Sequence, residues 1–270
     1  GEEKKFDVRI EPDHATNKAV TWSSSDESVV TVTDDGVVQA VGLGTATVTV
    51  TTVDGGFSDS MEIRVNESVE PHLLVWYKFE ETDGTRVVDH SNHELHGVYV
   101  NTPAFGTGVD GQSFRMSGGP NTAVSPYVKI PNGILEGHDN LTIAAFVKWN
   151  GGAPNQWLFT LGQDNQKYLF VSPRGWEGMK AGITTGSWQE EQQFSAAEPL
   201  ASNVWKHVAA VIDTDNHTAT LYVDGAIVGR NQNVTIKPSE LFDPSRDYSG
   251  YIGKSFYAAD PYFGGEVDDF

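Results

Sequence analysis

The chain of 270 residues has no cysteine and little positive charge. Without cysteine there is no disulfide, no thiolate nucleophile and no cysteine-ligated zinc. Only 18 Lys and Arg residues stand against 37 Asp and Glu, which gives a formal net charge of −19. Nucleic acids and anionic membranes are polyanions, so this charge argues against both as partners and favours neutral or cationic ligands.

Long apolar runs are also missing. No segment approaches the roughly 18 consecutive apolar residues that a membrane-spanning helix needs, and no apolar stretch follows the polar N-terminus as in a signal peptide. We therefore expect no membrane span. The sequence begins and stops within strand-like patterns, so we expect a piece of a longer protein, with a strand missing before Gly1 and the last strand truncated at Phe270.

Short alternating runs of β-branched residues fill the first 65 positions. In Thr45–Val53, Ala46, Val48 and Val50 fall on one face and threonines on the other, which predicts a strand with one buried face. Trp22 is expected to be the large core residue. The runs are separated by Asp-Gly and Gly-x-Gly turns, typical of antiparallel sheets: Val29–Val32, Val37–Val41, Thr45–Val53 and Met61–Val65.

Three motifs in this half carry a family resemblance. They are Ala15-Thr16-Asn17-Lys18-x-Val20-Thr21-Trp22-Ser23-Ser24-Ser25-Asp26, Asp35-Gly36-Val37-Val38 and Gly42-x-Gly44-Thr45-Ala46-Thr47-Val48. Together they resemble the bacterial immunoglobulin-like domain, group 2. The resemblance implies a small β-sandwich spacer over residues 1–67, from a secreted or surface-attached bacterial protein, with no chemistry of its own. The polar segment 66–71, which ends in proline, is predicted to be a linker.

The remaining residues, 72–270, read as a second all-β domain. Its strand candidates are short, and no helical periodicity separates them, which predicts a jelly-roll sandwich of two antiparallel sheets. The candidates are Leu73–Phe79, Ala123–Ile130, Leu141–Trp149, Gln156–Leu161, Tyr168–Val171, Met179–Thr184, Trp205–Asp213, Thr218–Val223, Tyr251–Ile252 and Glu266–Phe270.

Motifs spread over this second domain resemble laminin-G-like, concanavalin-A-like lectin domains. They include Tyr77-x-Phe79-Glu80-Glu81, Trp205-Lys206-His207-Val208-Ala209, Leu221-Tyr222-Val223-Asp224-Gly225 and Gly265-x-Val267-Asp268-Asp269-Phe270. The pattern is similar to modules appended to secreted polysaccharide-degrading enzymes, galactan-binding carbohydrate-binding module family 61 among them. The resemblance implies a non-catalytic module with a tethered glycoside hydrolase, an extracellular bacterial location, and a plant polysaccharide such as β-1,4-galactan as ligand.

A sugar-binding face needs flat apolar plates for the C–H side of the ring and polar groups for its hydroxyls. Trp157, Trp176 and Trp188 are the predicted plates, because each stands in or beside a loop rich in polar residues; the alternative for each is a place in the core. The predicted hydroxyl partners are Asn155, Arg174, Gln192 and Asp260. Tyr262, in the aromatic loop 260–263, is predicted to line the rim, unless its ring packs down onto a proline turn.

Calcium is the ion that this composition suits, because it prefers oxygen ligands and the chain is rich in carboxylates. The candidate ligands are Glu80 or Glu81, Asp89, and Asp268 or Asp269. The family resemblance points to a structural calcium ion in this region, remote from the sugar face. The alternative is that these are solvated surface acids.

Catalytic residues are not expected. Glu266-Val267-Asp268-Asp269-Phe270 begins like the strand motif of retaining glycosidases of this fold, but phenylalanine stands where the acid/base would be. Adjacent pairs such as Glu190-Glu191 point to opposite faces of a strand. Two alternatives remain open: a surface adhesion module that binds a protein or host glycan, and an enzyme with an unrecognised site.

Overall fold

Two units, each with its own core, make up the chain. The computed structural model describes residues 3–12, 14–65 and 72–270, and the units are Gly1–Glu70 and Pro71–Phe270. The predicted linker, 66–71, lies outside the described residues. Both units are built from strands and turns, which confirms the all-β prediction. In these ranges no helix is long and apolar enough to cross a membrane.

The first unit is a small immunoglobulin-like sandwich of two three-stranded sheets, ordered β1-β4-β3 and β2-β5-β6. Inside it, Ala46 and Val48 of β5 are buried as the alternation predicts. Trp22 is half-buried and packs against this core. The strands are β1 (Glu3–Lys5), β2 (Val20–Ser24), β3 (Val30–Val32), β4 (Val37–Ala40), β5 (Gly44–Thr52) and β6 (Ser58–Val65).

The second unit is a larger sandwich of two antiparallel sheets. Its strands are β7 (Arg86–Val87), β8 (Gly97–Val100), β9 (Ala104–Thr107), β10 (Gln112–Gly119), β11 (Tyr127–Pro131), β12 (Leu141–Trp149), β13 (Phe159–Gly162), β14 (Tyr168–Ser172), β15 (Lys180–Thr184), β16 (Gln192–Gln193), β17 (Lys206–Asp213), β18 (Thr218–Val223), β19 (Ala226–Asn231), β20 (Tyr248–Ile252) and β21 (Tyr262–Asp268). One sheet has the order β19-β18-β17-β12-β21-β10-β9, and the other β16-β15-β14-β13-β20-β11-β8-β7.

The core of this unit fills the space between the two sheets. Successive side chains of a strand point to opposite faces, so Leu169 and Val171 of β14 enter the core whereas Tyr168 and Phe170 lie on the outer face of the eight-stranded sheet. That outer face carries a second, smaller aromatic cluster around Trp157. The eight-stranded sheet therefore has large side chains on both faces.

The predicted strand Leu73–Phe79 is wrong. Only Tyr77 forms a bridge, to Asp89, and Phe79 has a φ of 59°, which interrupts an extended run. The first and last segments of this unit nonetheless pair: the Tyr77 amide donates to the Phe270 carbonyl over 2.8 Å, and the Phe270 amide donates to the Tyr77 carbonyl over 3.0 Å.

Candidate functional site

Two tryptophans stand out into solvent in the second unit. Trp176 is 83% exposed and Trp188 is 60% exposed. Trp176 lies in the turn between β14 and β15, which is closed by a 2.7 Å hydrogen bond from the Gly175 amide to the Gly178 carbonyl. Trp188 begins a short 3-10 turn after β15, and its amide donates to the Tyr257 hydroxyl over 3.2 Å. The predicted exposure of both indoles is confirmed.

These two indoles flank opposite ends of one strand. β15 runs Lys180–Thr184, and at roughly 3.4 Å per residue a strand of this length separates its ends by about 14 Å. Trp176 precedes the strand and Trp188 follows it. The arrangement suits an extended ligand that follows the direction of the strand.

The expectation that Trp157 is an exposed plate is wrong. Its side chain is only 3% exposed. The ring stacks on Phe170 with centroids 4.1 Å apart, and Tyr168 and Tyr257 lie 5.2 and 5.8 Å away. Phe170 lies on the outer face of β14, so Trp157 has aromatic neighbours on several sides and supports the sheet surface instead of offering a free ring face.

A buried carboxylate beneath this surface was missed by sequence reasoning. The Glu191 side chain is 1% exposed. It accepts a hydrogen bond from the Tyr168 hydroxyl over 2.8 Å and forms a 2.7 Å ion pair with Lys180. Burial raises the pKa of Tyr168, and its hydrogen bond with Tyr257 adds to that shift. These contacts hold the side chains near Trp188 in place, and the Glu191 carboxylate neutralises the charge of Lys180.

Arg174 and Asn155 lie together beside the Trp176 turn. The Asn155 amide donates to the Arg174 carbonyl over 2.9 Å, and the guanidinium donates from Nη1 to the Gly152 carbonyl over 3.2 Å. Both side chains are half-buried. Arg174 Nε is buried without a hydrogen-bond partner. The structure therefore brings these two predicted hydroxyl partners close to one exposed indole.

Gln192 does not present a free amide. Its Nε2 donates to the Thr235 hydroxyl over 2.8 Å, and its Oε1 accepts from the Thr235 and Ile236 amides over 2.8 and 3.3 Å. The side chain thus fastens the segment around Thr235 to β16. We correct its predicted role from sugar contact to support of the neighbouring chain.

The last two predicted sugar contacts are Asp260, in the loop before β21, and Tyr262, the first residue of β21. Asp260 accepts a 2.8 Å hydrogen bond from the Ser255 hydroxyl, and burial raises the pKa of its carboxyl. Tyr262 is half-buried and stacks on Tyr127, with centroids 6.0 Å apart. Tyr262 therefore lies beside Tyr127 of β11, and strands β20, β13 and β14 stand between β11 and β15, the strand that the two exposed indoles flank.

Asp89 does not join a metal site. Its Oδ1 accepts from the Trp76 and Ser91 amides, each over 2.9 Å, and its Oδ2 accepts from the Ser91 hydroxyl over 2.7 Å and the Leu95 amide over 2.9 Å. All the acceptor capacity of this buried carboxylate is used by protein donors. Its predicted role as a calcium ligand is corrected to that of organising the turn after β7.

Glu80 and Asp268 lie on either side of the loop between β9 and β10. Asp268 Oδ2 accepts from the Val109 and Asp110 amides over 2.7 and 3.2 Å, and Glu80 Oε1 accepts from the Gln112 amide over 2.8 Å. Asp268 Oδ1 is buried with no partner, and burial raises the pKa of this carboxyl. In the described ranges no three His, Cys, Asp or Glu side chains form a cluster suited to a metal.

The acid of the glycosidase-like motif is engaged as well. Glu266 is buried on β21, accepts from the Ser113 hydroxyl over 2.8 Å, and lies 3.4 Å from Lys148 and 3.6 Å from Arg115. It therefore serves as the centre of an ion-pair cluster on the seven-stranded sheet.

Two family profiles match the chain. Residues 1–63 match the bacterial Ig-like domain (group 2), and residues 121–270 match the concanavalin A-like lectin/glucanases superfamily. An alpha-L-arabinofuranosidase of Bifidobacterium longum subsp. longum is 49% identical over 61 residues, which cover 23% of this chain and 6% of that protein. A kappa-carrageenase of Pseudoalteromonas carrageenovora is 44% identical over 66 residues, 24% of this chain and 17% of that protein. The match thus spans a small part of each relative.

The fold is shared with solved structures of low sequence identity. Domain 4 of an extracellular GH43 arabinanase from Geobacillus stearothermophilus, in complex with arabinotriose, is 17% identical with a TM-score of 0.58, over 73% of this chain and 89% of that one. The binding domain of Paraclostridial Mosquitocidal Protein 1 is 13% identical with a TM-score of 0.51, over 73% and 47%. Since one profile covers more than half of the residues, the chain belongs to the concanavalin A-like lectin/glucanases superfamily.

Proposed function

We propose that the second unit is a non-catalytic carbohydrate-binding module, carried behind the immunoglobulin-like unit in a larger secreted bacterial glycoside hydrolase. The observation that carries this proposal is the exposure of two indoles, Trp176 at 83% and Trp188 at 60%. Large apolar rings are normally buried. Rings that remain in solvent offer the flat surface on which the C–H face of a sugar stacks.

The ligand we propose is an extended plant polysaccharide such as β-1,4-galactan. The placement of one indole before β15 and the other after it favours a chain over a single sugar, and Arg174 and Asn155 add polar groups at the Trp176 end. The names of an arabinofuranosidase relative and of an arabinanase domain with the same fold make arabinan the first comparison ligand. We expect neutral chains to bind this face, because the lysine beneath it is already paired with Glu191.

The module would act by proximity. When it holds the polysaccharide, a catalytic domain on the same chain meets its substrate at an effective concentration that reaches the millimolar range for short linkers. This role requires no chemistry from the module itself. The purified chain should therefore release no reducing sugar from galactan or arabinan, and any release would contradict the proposal.

Retention in polysaccharide affinity gels tests the sugar face. Trp176→Ala and Trp188→Ala should each reduce retention by galactan or arabinan at least about tenfold, since loss of a stacking ring at a binding centre costs more than 1 kcal/mol. Phe57→Ala is the matched control, because Phe57 is a 75% exposed aromatic in the first unit. Equal retention of all three variants and the parent would overturn the site.

We also propose a structural calcium ion at the loop between β9 and β10. Glu80 and Asp268 would supply carboxylate oxygens there, and the buried, unpartnered Asp268 Oδ1 is the kind of atom that a hard cation satisfies. An ion bound only by the folded state raises its stability. Calcium should thus raise the thermal midpoint of EDTA-treated protein, and Asp268→Asn should abolish that rise. An unchanged midpoint in the parent would refute the proposal.

A further inference from the structure

A group of tyrosines and lysines lies on the outer face of the eight-stranded sheet, on strands β11 and β20 and the segment that follows β20. Tyr262, the first residue of β21, packs against this group through Tyr127. Strands β13 and β14 separate the group from β15 and its two flanking indoles. We call this group the tyrosine–lysine patch, and its members are Tyr127, Lys129, Tyr248, Tyr251, Lys254 and Tyr262.

Strand register brings the patch together. Val128 and Ile130 of β11 are core residues, so Tyr127 and Lys129 point to the outer face. Lys129 lies opposite Tyr251 across the strand pair. The Tyr251 ring is 5.5 Å from the Tyr127 ring and 5.2 Å from the Tyr248 ring.

Both lysines lie over this aromatic surface. Lys254 Nζ is 4.5 Å from the Tyr251 ring centroid and 5.6 Å from that of Tyr127. Lys129 Nζ is 5.3 Å from the Tyr248 centroid. Because the Tyr248 and Tyr251 rings are neighbours, the two ammonium groups lie over one continuous aromatic surface.

Neither ammonium group has a compensating acid. Within the described ranges, no carboxylate lies within 4.0 Å of Lys129 or Lys254, although Lys180, farther along the same face, is paired with Glu191. Among the residues that the structure describes, the Lys254 ammonium has a single acceptor, the Ser255 carbonyl at 3.4 Å. Burial lowers the pKa of Lys254, and the charge of Lys129 adds to this effect. The chain has 37 acidic residues, yet these two lysines have no carboxylate as a partner. Their positive charge therefore favours the binding of an anion at this place.

The chemistry of the patch specifies the kind of anion. Tyr127 and Tyr262 are half-buried, so each keeps some surface in solvent that can contact a sugar. The ammonium groups are donors without acceptor capacity. The net charge of −19 acts over longer distances, but at physiological ionic strength charges are screened beyond about 8 Å, so the neighbouring lysines dominate at the patch.

We propose that the tyrosine–lysine patch binds the anionic group of an acidic saccharide, a carboxylate or a sulfate, between the Lys129 and Lys254 ammonium groups. This site is separate from the indoles that flank β15, and it requires neither of them. It would let one module hold a neutral chain and an acidic chain at different places on the same sheet.

Matched pairs of ligands isolate the charge. Titration calorimetry would compare oligogalacturonate with its methyl ester, which has the same backbone without the charge, and sulfated dextran oligosaccharides with dextran. The chain should prefer the charged member of at least one pair about tenfold. Preference within the first pair identifies a carboxylate as the ligand group, and preference within the second identifies a sulfate.

Charge-removing variants locate the site. Lys129→Met and Lys254→Met keep most of the apolar stem and should each remove that preference, whereas Lys254→Arg should retain it. Lys206→Met is the control, because Lys206 is paired with Asp224 on the seven-stranded sheet. Trp176→Ala should leave acidic binding unchanged, which separates this test from that of the sugar face.

The result that overturns the proposal is specific. Equal affinity for charged and uncharged ligands would do so, as would a preference that survives both methionine variants. If Lys254→Met lowers the thermal midpoint, the preference of the Lys129→Met variant for the charged ligand decides the test. The proposed sugar face at the two indoles is tested independently, by the retention of Trp176→Ala and Trp188→Ala in galactan or arabinan gels.

Discussion

Three tryptophans with similar sequence surroundings have different environments in the fold. Trp157, Trp176 and Trp188 all stand near loops rich in polar residues, yet only Trp157 is buried. Trp176 occupies a hairpin turn and Trp188 a 3-10 turn, where no neighbouring strand covers the ring. Trp157 lies two residues before β13 and contacts Phe170 on the next strand. Local sequence therefore identified the exposed rings by their turns but did not reveal the cross-strand contact that buries the third.

Replacing Trp157 tests this distinction through stability. Trp157→Ala removes a ring that stacks on Phe170 at 4.1 Å and should lower the free energy of unfolding by about 3–5 kcal/mol, the usual cost of emptying a large aromatic site. Trp176→Ala, at an exposed position, should change it by less than about 0.5 kcal/mol. Urea unfolding followed by far-UV circular dichroism measures both, and similar losses in the two variants would contradict the assignment of Trp157 to the interior.

The raised pKa of Asp260 gives a pH signature. Burial raises this pKa above its ordinary value of 3.8, so the folded state binds the proton more tightly than the unfolded state does. Its contribution to stability therefore falls as pH rises from the ordinary value through the raised one. Asp260→Asn, which keeps an acceptor for Ser255, should remove that fall. Unfolding free energies of parent and variant would be compared from pH 3.5 to 7, and a difference that does not vary with pH would refute the assignment.

At the scale of elements, the turn between β14 and β15 is supported by a neighbouring segment. Gly178 packs so closely against residues 196 and 197 that a Cβ at this position would overlap the Ala196 carbonyl oxygen. The Met179 amide also donates to the Glu198 carbonyl over 2.9 Å. The segment that follows β16 thus fixes the turn that presents Trp176.

Gly178→Ala should disturb this support. The added methyl group must displace backbone, which typically costs about 1–3 kcal/mol, and polysaccharide retention should fall along with the thermal midpoint. Gly175→Ala is the control within the same turn, because its Cβ would meet the Lys180 side chain at 3.1 Å instead of backbone. Scanning calorimetry with affinity gels would measure both effects, and equal midpoints for the two variants would show that the close approach is unimportant.

Strand prediction was most accurate where alternation is uninterrupted. Leu141–Trp149 and Thr218–Val223 are strands with the predicted bounds. The run Leu73–Phe79 has a similar pattern but forms only one bridge, because the positive φ at Phe79 turns the chain. Strands β7 to β10 were missed, since glycines and charged residues interrupt their alternation and β10 pairs with the distant strand β21.

At the scale of the whole molecule, two separate cores predict two unfolding transitions. The first unit has a small core around Val30 and Val48, whereas the second has a much larger one. A small core buries less apolar surface and supplies less stability. We therefore expect the immunoglobulin-like unit to unfold first on heating.

A pair of core substitutions separates the transitions. Val30→Ala should shift only the lower transition and Leu169→Ala only the upper one, because each side chain is fully buried in one core. The cost of each is roughly 1.5–5 kcal/mol, from lost methyl groups and the cavity left behind. Differential scanning calorimetry measures the shifts, and a single transition that moves with either substitution would contradict independent unfolding.

The sequence by itself determined the all-β class, the two family resemblances and the exposure of Trp176 and Trp188, because alternation and turn residues act over a few neighbouring positions. Tertiary structure alone decided that Trp157 is buried, that backbone and hydroxyl donors fill the hydrogen-bond capacity of Asp89, and that Lys129 and Lys254 lie over neighbouring tyrosine rings. These outcomes depend on which strands lie side by side and in which register. Residues far apart in the chain set that register, so no local pattern contains it.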